Sequence, residues 1–146
     1  MTNIKIFSDF ACPFCYIGFS IADKLRRENS NINIEWIPYE LDSDYPLEGG
    51  DLTESIPQKQ IELSYRRIER LGSEYGLVYN NKTKKFNTNR LHKAALYARD
   101  EGRYYEFARE AFKAIFEHGK NVGEPVIVNE IGLAAGISIV EMNRCI

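Results

Sequence analysis

The residues with the clearest capacity for chemistry are Cys12 and Cys15, two of only three cysteines in the chain, set in the run Cys12-Pro13-Phe14-Cys15. A pair at this spacing can close a small disulfide, and it can also begin a zinc site or be an inert structural pair. A structural zinc needs four protein ligands, commonly a second close Cys or His pair. The remaining inventory is His92, His118 and Cys145, none of them close together. The surroundings favour redox chemistry. Asn3 to Phe7, with Ile4 and Ile6 on one face, has a strand pattern, and Pro13 sits where a helix opens. A Cys-x-x-Cys between strand and helix reads as a thioredoxin-like redox motif. At the helix N-cap the Cys12 sulfur would face unpaired backbone N–H groups and the positive end of the helix dipole, both of which favour thiolate. Cys15, one turn in, would act as the resolving thiol.

The elements that must hold this pair follow from periodicity. Ile17, Ile21 and Leu25 recur every four residues behind Pro13, and Ile32, Ile34 and Trp36 alternate before Pro38. This strand–helix–strand pattern predicts two parallel strands joined by a crossover. Residues 41–52 read as loop. Ser55 and Gln58 resemble a capping box opening a long helix whose inner stripe is Ile61, Tyr65, Ile68, Leu71 and Tyr75, with Gly76 as its stop. Asn80 to Lys85 reads as a linker. Further helices are expected from Thr88 to Glu101, around Ala108 to Ile115 ending at Gly119, and from Pro125 to Ala135 ending at Gly136. Ser138 and Glu141 form another capping box, but the helix it opens runs to Ile146 without a stop signal. Two parallel strands also leave both sheet edges open. The expectation is a truncated chain, whose completing strands are missing or come from another molecule.

The segment Ser8-Asp9-Phe10-Ala11-Cys12-Pro13-Phe14-Cys15-Tyr16-Ile17-Gly18 resembles the active-site segment of the DsbA-like thioredoxin family, in its FrnE-like branch. That branch is related to 2-hydroxychromene-2-carboxylate isomerases and kappa-class glutathione transferases. The likeness continues through Asn87-Thr88, His92, Ala98, Gly102, Phe107, Phe112, Phe116, Gly119 and Asn121 to Gly136. The resemblance implies an α/β thioredoxin-like fold with a helical insertion. Residues 1–40 would form its N-terminal β-α-β part, and residues 41–146 a mainly helical insertion ending in a truncated helix. The family's C-terminal strands and cis-proline loop have no counterpart here, since Pro38, Pro46, Pro57 and Pro125 lie in the wrong elements. The implied activity is protein-disulfide oxidoreduction, with Cys12 attacking and Cys15 resolving. The isomerase and transferase relatives generally lack the cysteine pair and act on glutathione adducts. A glutathione-dependent isomerase or transferase, and a redox-inert fragment, are therefore the alternatives.

Around the pair, Pro13 and Phe14 would tune thiolate reactivity, and Phe10, Phe14 and Tyr16 would supply an apolar rim or core packing. Asp9 and Ser8 would orient the thiolate or a proton-transfer water, or cap the strand end. His92 matches a family position near the cleft, but packing with one satisfied hydrogen bond is the plainer reading. His118 would interact with a helix C-terminus. Cys145 reads as a core residue whose surroundings are missing rather than a third redox centre, the Lys82, Lys84 and Lys85 cluster as a solvated loop, and Tyr97, Tyr104 and Tyr105 as core edge.

At 146 residues, with 44% hydrophobic and 27% charged residues and a net charge of −2, the composition is that of a globular domain without a global basic footprint for nucleic acid. The strand pattern starts at once, with no leader-like segment, and no apolar run is long enough to span a membrane. The expected setting is cytoplasmic, with no metal or organic cofactor beyond the cysteine pair itself, and glutathione as a candidate co-substrate. Expected partners are protein or small-molecule thiols and disulfides, with neither nucleic acid nor membrane involved. A homodimer through the open sheet edge is also expected.

Overall fold

A computed structural model describes residues 1–146. It opens with β1 (Thr2–Ser8), α1 (Pro13–Glu28) and β2 (Ile32–Pro38). The two strands pair in parallel, from Thr2 opposite Ile32 to Ser8 opposite Pro38. Alternation decides the face: Ile4, Ile6, Ile34 and Trp36 turn towards the core, while Asn3, Lys5, Asn33 and Glu35 face outward.

The helical stripe of α1 differs from the expected one. Its buried positions are Tyr16, Ile17, Phe19, Ala22 and Asp23, whereas Ile21 and Leu25 are substantially exposed. The aromatics decide the rotation of the helix. Tyr16 stacks on Phe112 at 4.9 Å between ring centroids, and Phe19 packs on Phe112, Trp36 and Tyr105. Two buried rings outweigh two aliphatic side chains in apolar area.

The two stretches expected as loop and linker meet. Gly50–Asp51 (β3) pairs antiparallel with Lys84–Lys85 (β4), and the Leu52 N–H donates to the Thr83 carbonyl at 2.7 Å. Gly49 has φ +80°, and a Cβ there would lie 2.9 Å from the Phe86 ring, so both conformation and space require glycine. Between them, α2 spans Gln58–Ser73. The Ser55–Gln58 capping box does not form. Ser55 instead ends a short 3-10 turn, Leu52–Glu54, and α2 starts after Pro57. Ile61, Tyr65 and Ile68 face inward as expected, but Leu71 is 37% exposed and Gly72 is buried in its place. Tyr79 and Leu77 press so closely on Gly72 that a Cβ would sit 3.0 Å from the Tyr79 ring.

The remaining helices are α3 (Asn89–Asp100), α4 (Tyr104–Phe116), α5 (Pro125–Ala134) and α6 (Ile139–Cys145). Gly102, Gly119 and Gly136 follow three of them with positive φ, as the sequence predicts. Ser138 caps α6 by accepting from the Glu141 N–H at 3.3 Å. One continuous cluster of 28 buried apolar residues runs from Phe10 to Met142, so the β1–α1–β2 unit shares its core with the helices. No helix is long and apolar enough to cross a membrane. Every peptide bond is trans.

Candidate active site

The redox pair sits where β1 gives way to α1. Asp9 to Cys12 form a turn closed by the Cys12 N–H on the Asp9 carbonyl at 3.1 Å, and the Cys15 N–H returns to the Cys12 carbonyl at 3.0 Å. Cys12 is the N-cap residue in extended conformation (φ −94°, ψ 119°), and Pro13 is the first helical residue. Proline suits that position because its φ is already helical and its missing N–H would have no partner there. Its carbonyl accepts the Tyr79 hydroxyl at 2.8 Å, which ties the first turn of α1 to the segment after α2.

Both sulfurs are half-buried free thiols, but they face different surroundings. Cys12 lines a groove of about 340 Å³ whose walls include Phe14, Leu41, Ile56, Ile61 and Phe86. Cys15 does not line it and packs against the core instead. The two thiols titrate as one system. The first proton leaves at about 6, with Cys15 as acceptor of a hydrogen bond from Cys12; burial opposes this, and the Asp9 amide and Ser8 side chain assist it. The second proton is held far above the ordinary thiol range by the same hydrogen bond and by burial, although the amides of Cys15 and Phe14 favour charge on Cys12. The pair therefore carries one negative charge, shared across two adjacent sulfurs, more readily than an isolated thiol does.

Behind the pair lies a polar node that the sequence only hinted at. Asp9 is 3% exposed, and its carboxylate accepts from four groups. These are the Ala11 N–H at 3.2 Å, the Leu41 N–H at 2.8 Å, the Thr88 hydroxyl at 2.7 Å and His92 Nε2 at 3.0 Å. Burial works against the charge, but the bond from His92 and then those from Leu41, Thr88 and Ala11 outweigh it and bring Asp9 below the usual carboxylate range. His92 is itself buried, with its ring against Phe10 at 5.0 Å. Asp9 does more than cap a strand end: it joins the redox turn, the segment after β2 and the start of α3. Thr88 and Leu41 lie 79 and 32 residues from Asp9, so no local pattern marks them as its partners.

The other candidates divide between rim and core. Phe14 is 48% exposed at the groove, whereas Phe10 and Tyr16 are core residues. Lys82, Lys84 and Lys85 stand along the groove; Lys82 pairs with Glu69 and Lys85 with Asp42. Cys145 is an exposed free thiol.

A family model for the DSBA-like thioredoxin domain matches residues 3–145. The chain belongs to the DsbA-like thioredoxin domain family. It is 23% identical over 136 residues to the uncharacterised Bacillus subtilis (strain 168) protein YwbO, covering 92% of this chain and 66% of that protein. The chain thus spans slightly less than two thirds of that relative's length. Among solved structures, the "probable DsbA oxidoreductase" of Streptomyces coelicolor superimposes with a TM-score of 0.87 at 19% identity, over 99% of this chain and 67% of that one. A 2-hydroxychromene-2-carboxylate isomerase superimposes with a TM-score of 0.67 at 17% identity, over 98% and 70%. The two solved structures share this chain's fold, so the chemistry has to be argued from this chain's own side chains.

Proposed function

We propose that this DsbA-like chain is a thiol–disulfide oxidoreductase that works by dithiol–disulfide exchange at Cys12–Cys15. The observation that carries the reading is the asymmetry of the pair: at one turn Cys12 lies on the wall of an apolar groove while Cys15 is turned to the core, and each thiol shifts the titration of the other. Moving the shared proton to Cys15 leaves the thiolate on Cys12, where the Phe14 and Cys15 amides stabilise it. That thiolate attacks one sulfur of a client disulfide. A Cys12–client bond forms, and the other client sulfur leaves as a thiolate. Cys15 then attacks the Cys12 sulfur, closing the intramolecular disulfide and releasing the second client sulfur. The client gains two electrons and the pair loses two; the reverse sequence oxidises a client dithiol. Pro13 and Phe14 set the geometry and polarity of the turn. Neither metal nor organic cofactor enters, the clients are protein or small-molecule thiols and disulfides, and the proposed setting is the cytoplasm.

Trapping tests the roles of the two sulfurs. Cys12→Ser removes insulin-type disulfide reduction altogether, whereas Cys15→Ser accumulates mixed disulfides on Cys12, read by peptide mass, which separates them from adducts on the exposed Cys145. An unchanged reduction rate in Cys12→Ser rules the mechanism out. A glutathione-using isomerase draws its support from the structural likeness to the isomerase. Saturable glutathione binding with the pair remaining reduced throughout turnover favours that reading instead.

A further inference from the structure

We propose that the groove beside Cys12 selects its clients by charge: it takes a peptide segment whose reacting cysteine is flanked by a large apolar residue and carboxylates. The inference rests on the dithiol reading above and names the client class for that site. It starts from the lysine cluster, which the exchange reaction leaves without a role. Lys82, Lys84 and Lys85 line the same groove as Cys12, and no aspartate or glutamate lines it. The carboxylates that meet these lysines stand outside. Lys82 is held by Glu69 at 2.6 Å and Lys85 by Asp42 at 3.3 Å, with the Lys85 ammonium also 4.7 Å from the centre of the Tyr45 ring. Lys84 forms no ion pair. Asp51, opposite it in the β3–β4 register, is engaged by Thr53, whose N–H donates at 2.9 Å and hydroxyl at 2.6 Å.

The lysine segment is fixed in place. Antiparallel pairing joins Lys84–Lys85 to Gly50–Asp51. Asn81 grips the same strand, donating to the Lys84 carbonyl at 3.0 Å and accepting from the Lys84 N–H at 2.9 Å. Its amide also donates to the Ile115 carbonyl of α4 at 2.9 Å, which anchors β4 to the helical region. Cations set along an apolar, concave wall raise the local concentration of anionic groups. They also repel a client with basic residues at the same place, so selection works against some segments as well as for others.

The walls select the apolar part. Ile61 and Phe86 are buried there, while Leu41 and Phe14 leave 60% and 48% of their surface open. A large side chain laid over Leu41 and Phe14 removes apolar surface from water on both partners. Gln60 and Ser64 of α2, both exposed at the groove, add hydrogen-bonding groups for a peptide backbone. A small carboxylate alone would meet the lysines and leave Leu41 and Phe14 uncovered. A peptide segment engages all three kinds of surface.

Single-turnover exchange reads the selection. Every protein carries Cys15→Ser and Cys145→Ser, so that Cys12 is the only thiol. The probes are amidated hexapeptides whose single cysteine is a 2-pyridyl disulfide. Attack by Cys12 on the peptide sulfur breaks that bond and releases pyridine-2-thione, read by absorbance. One peptide has leucine beside the cysteine and two glutamates; a second has lysines for the glutamates, and a third has serine for the leucine. Each rate is divided by that of 2-mercaptoethanol with the same peptide, which removes intrinsic reactivity.

At low salt the glutamate peptide reacts about ten-fold faster than the lysine peptide, and this ratio fades in about 1 M salt, where screening is nearly complete. It also reacts about ten-fold faster than the serine peptide. Lys84→Glu lowers the glutamate-to-lysine ratio about five-fold or more, whereas Lys93→Glu, the same charge change at an exposed α3 site outside the groove, leaves it within about two-fold. A wild-type ratio near one, or a ratio that both substitutions lower alike, overturns the proposal. So does a serine peptide as fast as the leucine one. The 2-pyridyl disulfide of glutathione, anionic but without a large apolar side chain, reacts more slowly than the glutamate peptide; equal rates overturn the peptide assignment in favour of glutathione. If no probe reacts with Cys12 faster than with 2-mercaptoethanol, the oxidoreductase reading itself fails.

Discussion

The β1–α1–β2 unit and the helices α3 and α4 treat apolar surface differently. Phe7 is 62% exposed and Ile21 47%, whereas Leu91, Ala94, Phe107 and Ala111 are completely buried. The chemistry sits on the poorly covered unit and the packing in the well-covered one. What links them is a set of side chains reaching from the helical region to the redox turn: Tyr79 to the Pro13 carbonyl, Thr88 and His92 to Asp9, and Phe112 against Phe10, Tyr16 and Phe19. A two-stranded sheet is marginal by itself. The reactive turn is therefore held in place from the helical side, and each link can be cut separately.

Phe112→Ala breaks the comparison most severely. The ring is 1% exposed and meets three aromatic neighbours across the junction, Phe10, Tyr16 and Phe19. The expected loss is about 3–5 kcal/mol of unfolding free energy, read by denaturant titration. A loss below about 1 kcal/mol would mean that the two regions are stable independently.

Asp9→Ala comes next, because it leaves His92, the Thr88 hydroxyl and the Leu41 N–H without their acceptor. The expected cost is about 3 kcal/mol at neutral pH. Asp9 also predicts a pH dependence. Its folded pKa lies below its unfolded value of about 4, so its stabilisation is complete above that value and fades as pH falls through the folded one. Asp9→Asn removes this component, so its stability changes less than wild type between neutral pH and pH of about 3. Parallel stability–pH curves for the two proteins would mean that the carboxylate is not held as described.

Tyr79→Phe sharpens the picture at smaller scale. The ring stays in its aromatic cluster, but the hydrogen bond to the Pro13 carbonyl is lost, for about 1 kcal/mol. If the link matters to the turn, the redox potential of the pair moves with it; an unmoved potential confines Tyr79 to packing. The smallest effect is association through the open β1–β2 edges, expected as a concentration-dependent rise in mass by light scattering. A constant monomer mass at high concentration removes the proposed homodimer.

Which parts of this were legible in the sequence follows from the range of the interactions. The parallel β1–β2 pair, the glycine stops after α3, α4 and α5 and the Ser138 cap are encoded within a few residues, and all were readable. The capping box at Ser55 failed because Pro57 sits inside it and sets the helix start itself. The α1 stripe was misjudged because aliphatic periodicity ignored Tyr16 and Phe19, whose partners lie on α4 and β2. The β3–β4 pair joins segments more than thirty residues apart with only two residues each, too short to show alternation. At the site, Cys12-Pro13-Phe14-Cys15 was visible from its spacing together with its place between a strand and a helix. The partners of Asp9 were not, since a buried carboxylate is made tolerable by donors the fold brings from elsewhere.

The most direct test of the central claim is thiol trapping with peptide-mass readout across a glutathione redox series, repeated at several pH values. The account predicts a reversible loss of two hydrogens confined to the Cys12–Cys15 peptide. It also predicts that the slope of potential against pH falls from about 59 to about 30 mV per unit as the first proton of the pair is lost, near pH 6. A pair that never closes, or a glutathione adduct on Cys12 that is never resolved, contradicts it.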